Sequence, residues 1–124
     1  MIRTLVVEDD FRVAELHRDY TERVPGFTVV GTAMSGAEAL QLAATLQPDL
    51  LLLDIHLPDI NGLVLAQKLR DRFGPATPII VVSGDTSMET LKSLPHVGAT
   101  YFFSKPVNSG MLIERLKELI QMTR

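Results

Sequence analysis

Five short apolar segments, separated by stretches with helical patterns, constrain the fold of this chain more than any other feature. They lie at residues 5–7, 27–30, 50–53, 79–82 and 101–103. Two of them, 50–53 and 79–82, are continuous runs of Leu, Ile or Val rather than alternating patterns. Continuous runs are typical of strands in a parallel sheet, where helices cover both faces. The sequence therefore predicts five strand–helix units.

Capping residues and apolar stripes predict the helices. A glutamate stands three positions after Ser35 and after Thr86, which predicts a capping box for the second helix and a similar cap for a short fourth helix. Asn61 is interpreted as a loop residue at the entrance to the third helix. The expected stripes are Leu65, Ala66, Leu69 and Phe73 in the third helix, and Met111, Leu112, Leu116, Leu119 and Ile120 in the fifth. The prediction is a doubly wound, flavodoxin-like α/β fold with five helices and a five-stranded parallel sheet of order 2-1-3-4-5.

Length, charge and cysteine content narrow the class of protein. The chain has 124 residues, of which 46% are hydrophobic, so we expect one domain spanning residues 1–124. Twelve basic and fifteen acidic residues without a basic stripe argue against direct nucleic-acid binding. The absence of cysteine excludes disulfides and thiolate metal sites. The apolar N-terminal stretch is too short for a signal peptide or membrane span, so a cytoplasmic protein without membrane attachment is expected.

Polar side chains follow four of the predicted strands. They are Glu8 and Asp9 after the first strand, Asp54 after the third, Ser83 after the fourth and Lys105 after the fifth. The carboxyl ends of parallel strands meet at one edge of the sheet, and ligands collect there. Carboxylates brought together raise one another's pKa unless a cation neutralises them. Because all available ligand atoms are oxygens, Mg²⁺ is preferred to Zn²⁺.

This arrangement suits phosphoryl transfer. A carboxylate beside a divalent cation can act as a nucleophile and form an aspartyl phosphate, and Asp54 is the predicted nucleophile. The transferred group carries charge on its oxygens, which the ammonium of Lys105 and the hydroxyl of Ser83 are placed to stabilise.

Four segments together resemble the response-regulator receiver domains, over essentially the whole chain. They are LVVED, LLLDIHLPDING, VVSG and FFSKP. The resemblance implies that Asp9 binds Mg²⁺ directly and that Glu8 assists through water. It further implies that Asp54 is phosphorylated by a histidine kinase, that the main-chain carbonyl of His56 completes the metal ligands, and that Lys105 holds a phosphoryl oxygen.

The same resemblance implies a conformational switch. Ser83 matches the position of the switch hydroxyl, and Phe102 that of the switch aromatic, although a buried core position is the simpler interpretation of a phenylalanine. Serine stands where threonine is commoner, and Glu8 stands where aspartate is frequent; both keep the chemical group. The fourth helix, fifth strand and fifth helix are expected to form the output face, for dimerisation or partner docking. Residues 7–40 resemble regulators of the citrate and dicarboxylate sensing type, so transcription regulation is the expected context.

The chain has three histidines, and Asp85 directly follows the VVSG segment. His56 lies two residues after the predicted nucleophile and Asp85 two residues after Ser83. We expect this pair to set the lifetime of the phosphorylated state without being needed for its formation. His17 and His96 are expected to be surface residues without chemistry, since neither has a metal-ligand partner at helical spacing.

Other functions fit the sequence less well. An acidic cluster can simply cap a helix, which is expected of Asp10, and Lys105 or Ser83 alone would be read as surface or turn residues. An aspartate-nucleophile phosphohydrolase would need a second acid at the position of His56 and a cap insertion, so no enzymatic turnover is expected beyond self-catalysed phosphotransfer and slow autodephosphorylation. A non-phosphorylated pseudo-receiver is disfavoured by the complete set of site residues. A flavodoxin-like nucleotide binder is disfavoured because no glycine-rich phosphate-binding loop follows the first predicted strand. Because the chain ends at Arg124, it is expected to be a stand-alone receiver or a fragment.

Overall fold

The computed structural model describes residues 1–122 and consists of alternating strands and helices. The elements are β1 (Ile2–Val7), α1 (Phe11–Glu22), β2 (Phe27–Ala33), α2 (Gly36–Leu46), β3 (Leu50–Asp54), α3 (Gly62–Phe73), β4 (Ile79–Ser83), α4 (Met88–Ser93), a 3₁₀ turn (Pro95–Val97), β5 (Tyr101–Ser104) and α5 (Ser109–Met122). The predicted strands and helices are all present.

The five strands form one parallel sheet of order β2-β1-β3-β4-β5, which confirms the predicted order. The central strands β3 and β4 are buried along their whole length. The edge strand β2 is buried only at its two ends. Continuous apolar runs therefore mark the centre of the sheet, as expected for strands covered on both faces.

Helices cover both faces of the sheet because alternate residues of each strand point to opposite sides. Leu51 and Leu53 face one core with α2 and α3, whereas Leu50 and Leu52 face the other with α1 and α5. The two apolar cores together hold the strand ends at fixed positions relative to one another.

The helix caps agree with the sequence, with one correction. Asp10 and Ser35 cap α1 and α2 through their side chains, as predicted. Asn61, predicted as the loop residue at the entrance to the third helix, is the N-cap of α3. The cap of α4 is Ser87, not Thr86: its hydroxyl oxygen accepts a hydrogen bond from the Thr90 amide. Thr86 was one residue too early because the preceding loop takes one more residue than the spacing suggested.

The apolar stripes predicted for α3 and α5 each include one residue that is exposed. Leu65, Ala66 and Leu69 of α3 are buried, but Phe73 is 39% exposed; in α5 the predicted Met111 is 55% exposed. Phe73 is the last residue of α3, and Met111 lies in the first turn of α5 beside the buried Leu112. None of the helices within residues 1–122 has the length and apolar composition needed to cross a membrane.

Candidate functional site

The ends of β1 and β3 bring the predicted acids together. Val7 pairs with Leu53 across these neighbouring parallel strands, and Glu8 and Asp54 each follow that pair. Both side chains are buried, with 1% and 3% exposure, whereas Asp9 is exposed at the rim. One carboxylate oxygen from each of these three acids lies within 4.8 Å of the others. Hydrophobic burial of the strands thus forces two carboxylates into the protein interior.

Lys105 follows the edge strand β5, and its side chain reaches this acidic cluster at the ends of β1 and β3. Ser83 at the end of β4 pairs with Ser104 of β5, and the Lys105 amide donates to the Ser83 carbonyl at 2.9 Å. The peptide bond between Lys105 and Pro106 is cis. The Lys105 ammonium lies 2.6 Å from Glu8 Oε1 and 3.4 Å from Asp54 Oδ2. One lysine therefore bridges two carboxylates that come from different strands.

The electrostatics of the pocket show partial neutralisation. Burial raises the pKa of Glu8, and the Asp54 charge adds to this, although hydrogen bonds from Lys105 and the Asp10 amide act in the opposite direction. Burial by itself would lower the pKa of Lys105, but its hydrogen bond to Glu8 and the charges of Asp54 and Glu8 raise it above the ordinary value. One ammonium thus faces two buried carboxylates and the exposed one of Asp9, so the pocket keeps an excess of negative charge.

The donor set fits a divalent cation. Asp54 Oδ1 is buried and has no hydrogen-bond partner among residues 1–122. Such an atom is costly unless something else satisfies it. Clustered carboxylate oxygens are the ligands preferred by hard cations such as Mg²⁺. The orphaned oxygen, together with the excess negative charge, is what a metal ion would compensate.

The hydroxyl side of the site is a hydrogen-bonded loop between β4 and α4. Ser83 is fully buried, and its Oγ accepts a hydrogen bond from the Asp85 amide at 2.9 Å. One Asp85 carboxylate oxygen accepts from the Ser87 amide at 2.9 Å, and the other accepts from the Thr90 hydroxyl at 2.8 Å. These bonds lower the pKa of Asp85. The loop thus connects the predicted switch hydroxyl to the first turn of α4.

The remaining predicted site residues are His56 and Phe102. His56 is exposed in the loop after β3, where it forms an isolated bridge with Asn61, and its charge also helps to lower the pKa of Asp85. The joint role of His56 and Asp85 remains a prediction. Phe102 is partly buried and packs against the core beneath α2 and α3. Its location is compatible with both expectations, and its switching role remains a prediction.

Two supporting residues were missed by the sequence analysis. A Cβ on Gly62 would lie 2.3 Å from the Asp54 carbonyl oxygen and 2.6 Å from the Cα of Ile55, so α3 can begin against this backbone only with glycine there. The carboxylate of Asp59 accepts hydrogen bonds from the amides of Gly36 and Ala37 at 2.8 and 3.0 Å and thereby ties the same loop to α2. The sequence signal for both residues was the cluster of turn-forming residues in this loop, Pro58, Asp59, Asn61 and Gly62.

His17 was predicted wrongly as a surface residue. It is 4% exposed and lies with Lys105 and Pro106 along a small cavity between α1 and the end of β5. Burial, with the nearby Lys105 charge, lowers the pKa of His17 to about 4. The buried stripe of α1 consists of Ala14, His17 and Thr21, which are three and four residues apart. This helical spacing was the sequence signal for the burial of His17. His96 is exposed, as expected.

Comparison with known families gives a match over most of the chain. The model of the response regulator receiver domain matches residues 4–117. This range includes every strand end and every predicted site residue.

Similar full-length proteins are bacterial regulators. The chain is 35% identical over 120 residues to the probable C4-dicarboxylate response regulator DctR of Priestia megaterium, covering 97% of this chain and 50% of that protein. It is 36% identical over 109 residues to the transcriptional regulatory protein CitT of Bacillus subtilis, covering 88% and 48%. The chain thus spans about half the length of these relatives. They agree with the expected resemblance to regulators of the citrate and dicarboxylate type.

A solved structure shows the same fold. The response regulator receiver domain protein from Methanospirillum hungatei, described as CheY-like, superimposes with a TM-score of 0.88 at 30% identity, covering 98% of this chain and 95% of that one. The fold predicted from the sequence is confirmed.

Proposed function

Because this chain belongs to the family of response regulator receiver domains, in which accepting a phosphoryl group is the general function, we propose that Asp54 is its phosphoacceptor. A histidine kinase is the proposed donor, since response regulators receive their phosphoryl group from such kinases. The carboxylate oxygen forms the new bond to phosphorus as the bond between phosphorus and the imidazole nitrogen of the donor breaks. The main support is the buried Asp54 oxygen, which has no hydrogen-bond partner within residues 1–122, at an edge where Lys105 lies 3.4 Å from the other oxygen.

The chain's own groups divide the remaining tasks. The Lys105 ammonium would hold a phosphoryl oxygen, because it already lies beside the Asp54 carboxylate to which the phosphoryl group would be attached. Asp9, Asp54 and the main-chain carbonyl of His56 would hold Mg²⁺, with Glu8 assisting. When bound, the ion would neutralise carboxylate charge and stabilise charge on the phosphoryl oxygens.

The phosphoacceptor assignment is tested by intact mass and peptide mapping after incubation with acetyl phosphate, with and without Mg²⁺. We expect one phosphoryl adduct on the peptide that contains Asp54, dependent on Mg²⁺ and lost in Asp54→Asn. Asp71→Asn, which changes an exposed carboxylate of α3, is the matched control and should keep the adduct. A folded wild type that forms no adduct with any donor would instead be a pseudo-receiver.

We also propose that His56 and Asp85 set the lifetime of the phosphorylated form. The exposed position of His56, two residues after Asp54, and the bond from the Asp85 amide to Ser83 support this, because groups beside a phosphoryl group can obstruct or orient attacking water. Replacing either residue by alanine should change the decay rate of the phosphorylated protein several-fold, which is the effect expected from the loss of about one hydrogen bond. Formation of the phosphorylated protein should be unaffected. Equal decay rates in wild type and both variants, followed by mass spectrometry after donor removal, would remove this proposal.

The wider role is proposed on the same basis. Residues 1–124 would act as one cytoplasmic receiver domain without enzymatic turnover or direct nucleic-acid contact, in a protein that regulates transcription. The output face would be α4, β5 and α5, where Met88, Leu91 and Met111 are exposed apolar residues. Dimerisation through it predicts that the phosphorylated protein sediments as a dimer and that Met111→Glu abolishes this; a monomeric phosphorylated wild type would exclude it.

A further inference from the structure

The loop between β4 and α4 ties the Ser83 hydroxyl to Asp85 and, through Asp85, to α4. Ser83 Oγ accepts a hydrogen bond from the Asp85 amide, whereas Asp54 Oδ1 is buried without a partner among residues 1–122. The Ser83 hydroxyl therefore gives no hydrogen bond to that oxygen in this structure. The Ser83 hydroxyl accepts from this amide and keeps its own proton for donation. If Ser83 moves towards a phosphoryl group on Asp54, as the predicted switch requires, either its bond with the Asp85 amide breaks or the loop moves with it.

The Asp85 side chain is anchored to α4 at both carboxylate oxygens. Its partners are the Ser87 amide and the Thr90 hydroxyl, and the Ser87 hydroxyl in turn lies 3.1 Å from that of Thr90. Thr90 is the buried residue of α4, with 7% exposure. Hydrogen bonds to an ionised carboxylate are stronger than those between neutral groups. Thr90 is therefore the anchor that water replaces least readily.

We propose that Thr90 is a positioning residue for the phosphoryl-transfer site: through Asp85 it holds Ser83 in the resting orientation. This rests on the proposed function of Asp54. A bond present only in the resting state opposes the switched state by its own free energy, so its removal shifts the population towards the switched state. The inward turn of Ser83 and the release of the first turn of α4 are one event.

The test uses beryllium fluoride, which can occupy the position of a phosphoryl group on a carboxylate, with Mg²⁺ and ¹⁵N-labelled protein. Its apparent affinity is measured by NMR titration. Thr90→Val keeps the shape of the side chain but removes the hydroxyl, and we expect about tenfold tighter binding, the factor for one hydrogen bond to a charged group. Thr90→Ser restores the hydroxyl and should return the wild-type affinity.

Two controls separate Thr90 from α4 in general. Ser93→Ala removes another α4 hydroxyl, which donates to the Glu89 carbonyl and does not touch Asp85; its affinity should equal that of wild type. In an Asp85→Ala background, Thr90→Val should have no further effect, since residues acting through one contact are not additive. Unchanged or weaker binding by Thr90→Val would overturn the inference while leaving the proposed function intact.

A measurement on wild type keeps the inference testable if Thr90→Val fails to fold. The amide signals of Ser87 and Thr90 should shift with the same midpoint as that of Ser83 during the titration. Signals of α4 that stay in place while Ser83 shifts would also overturn it. If wild type binds no beryllium fluoride at all, the phosphoacceptor assignment fails instead.

Discussion

The two sides of the site are built from different interactions. The acidic side consists of Glu8, Asp54 and Lys105, buried or half-buried charges fixed at the ends of strands. The hydroxyl side is the loop and short helix after β4, where single hydrogen bonds link Ser83, Asp85, Ser87 and Thr90. The first is anchored by the two cores, whereas α4 contributes one buried side chain.

This difference separates chemistry from movement. Changing a buried charge leaves another charge uncompensated, at a cost of several kcal/mol, so the acidic side should behave as part of the global fold. Breaking one hydrogen bond on a partly solvated loop costs about 1 kcal/mol, because water can replace the lost partner. The hydroxyl side can therefore rearrange while the acidic side stays in place.

The largest expected effect is that of Lys105→Met. Removing the ammonium leaves Glu8 and Asp54 as neighbouring buried carboxylates. The free energy of unfolding in metal-free buffer should therefore fall by about 3 kcal/mol, which is at the lower end of the losses found for broken buried ion pairs because Lys105 is partly solvated. Added Mg²⁺ should restore part of this loss. Urea unfolding with and without Mg²⁺ measures both effects.

The matched control is Lys117→Met, which removes an exposed lysine 3.8 Å from Glu114 on α5. Its effect should stay below about 0.5 kcal/mol, as for other surface pairs. Similar losses in the two variants would contradict the distinction between the two sides of the site.

The next effect concerns pH and His17. Its pKa of about 4 in the folded protein is below the value of 6.5 expected when unfolded. Between these values the unfolded state binds more protons, so stability falls as the pH falls through this window. The contribution between pH 7 and pH 5 is about 2 kcal/mol, and His17→Leu should remove it from the pH dependence of urea unfolding.

His96→Leu is the control, because His96 is the exposed histidine on the 3₁₀ turn. It should keep the wild-type pH dependence. If the His17 and His96 variants have the same slope, His17 is not held neutral by its packing against the end of β5.

The smallest effect is expected at the helix caps. Ser87→Ala and Ser35→Ala each remove an N-cap hydrogen bond, at a cost of about 1 kcal/mol. For α2, whose Ala39 and Ala43 are buried in the core, the cost should appear in global unfolding. For α4 it should appear only as faster local opening of its amides. Native-state hydrogen exchange distinguishes these outcomes, and an equal global loss in both variants would show that α4 does not open independently.

The sequence was most informative at the sheet. Continuous apolar runs at 50–53 and 79–82 predicted buried parallel strands, and the polar residues that follow strands predicted which carboxylates and which lysine would meet. Both rest on local rules: side-chain alternation sets the burial of a strand, and parallel strands end at a common edge. The loops were harder, because the choice between Thr86 and Ser87 as a cap depends on one residue of loop geometry.

Local sequence patterns thus set the order of elements, the edge at which the site lies and the residue types available there. Only the tertiary structure decided that one ammonium bridges Glu8 and Asp54, that His17 is buried against this lysine, and that both oxygens of Asp85 are anchored to α4. The physical reason is distance along the chain. Periodicity and capping act over a few residues, whereas Glu8 and Lys105 are 97 residues apart and meet only when the sheet is assembled.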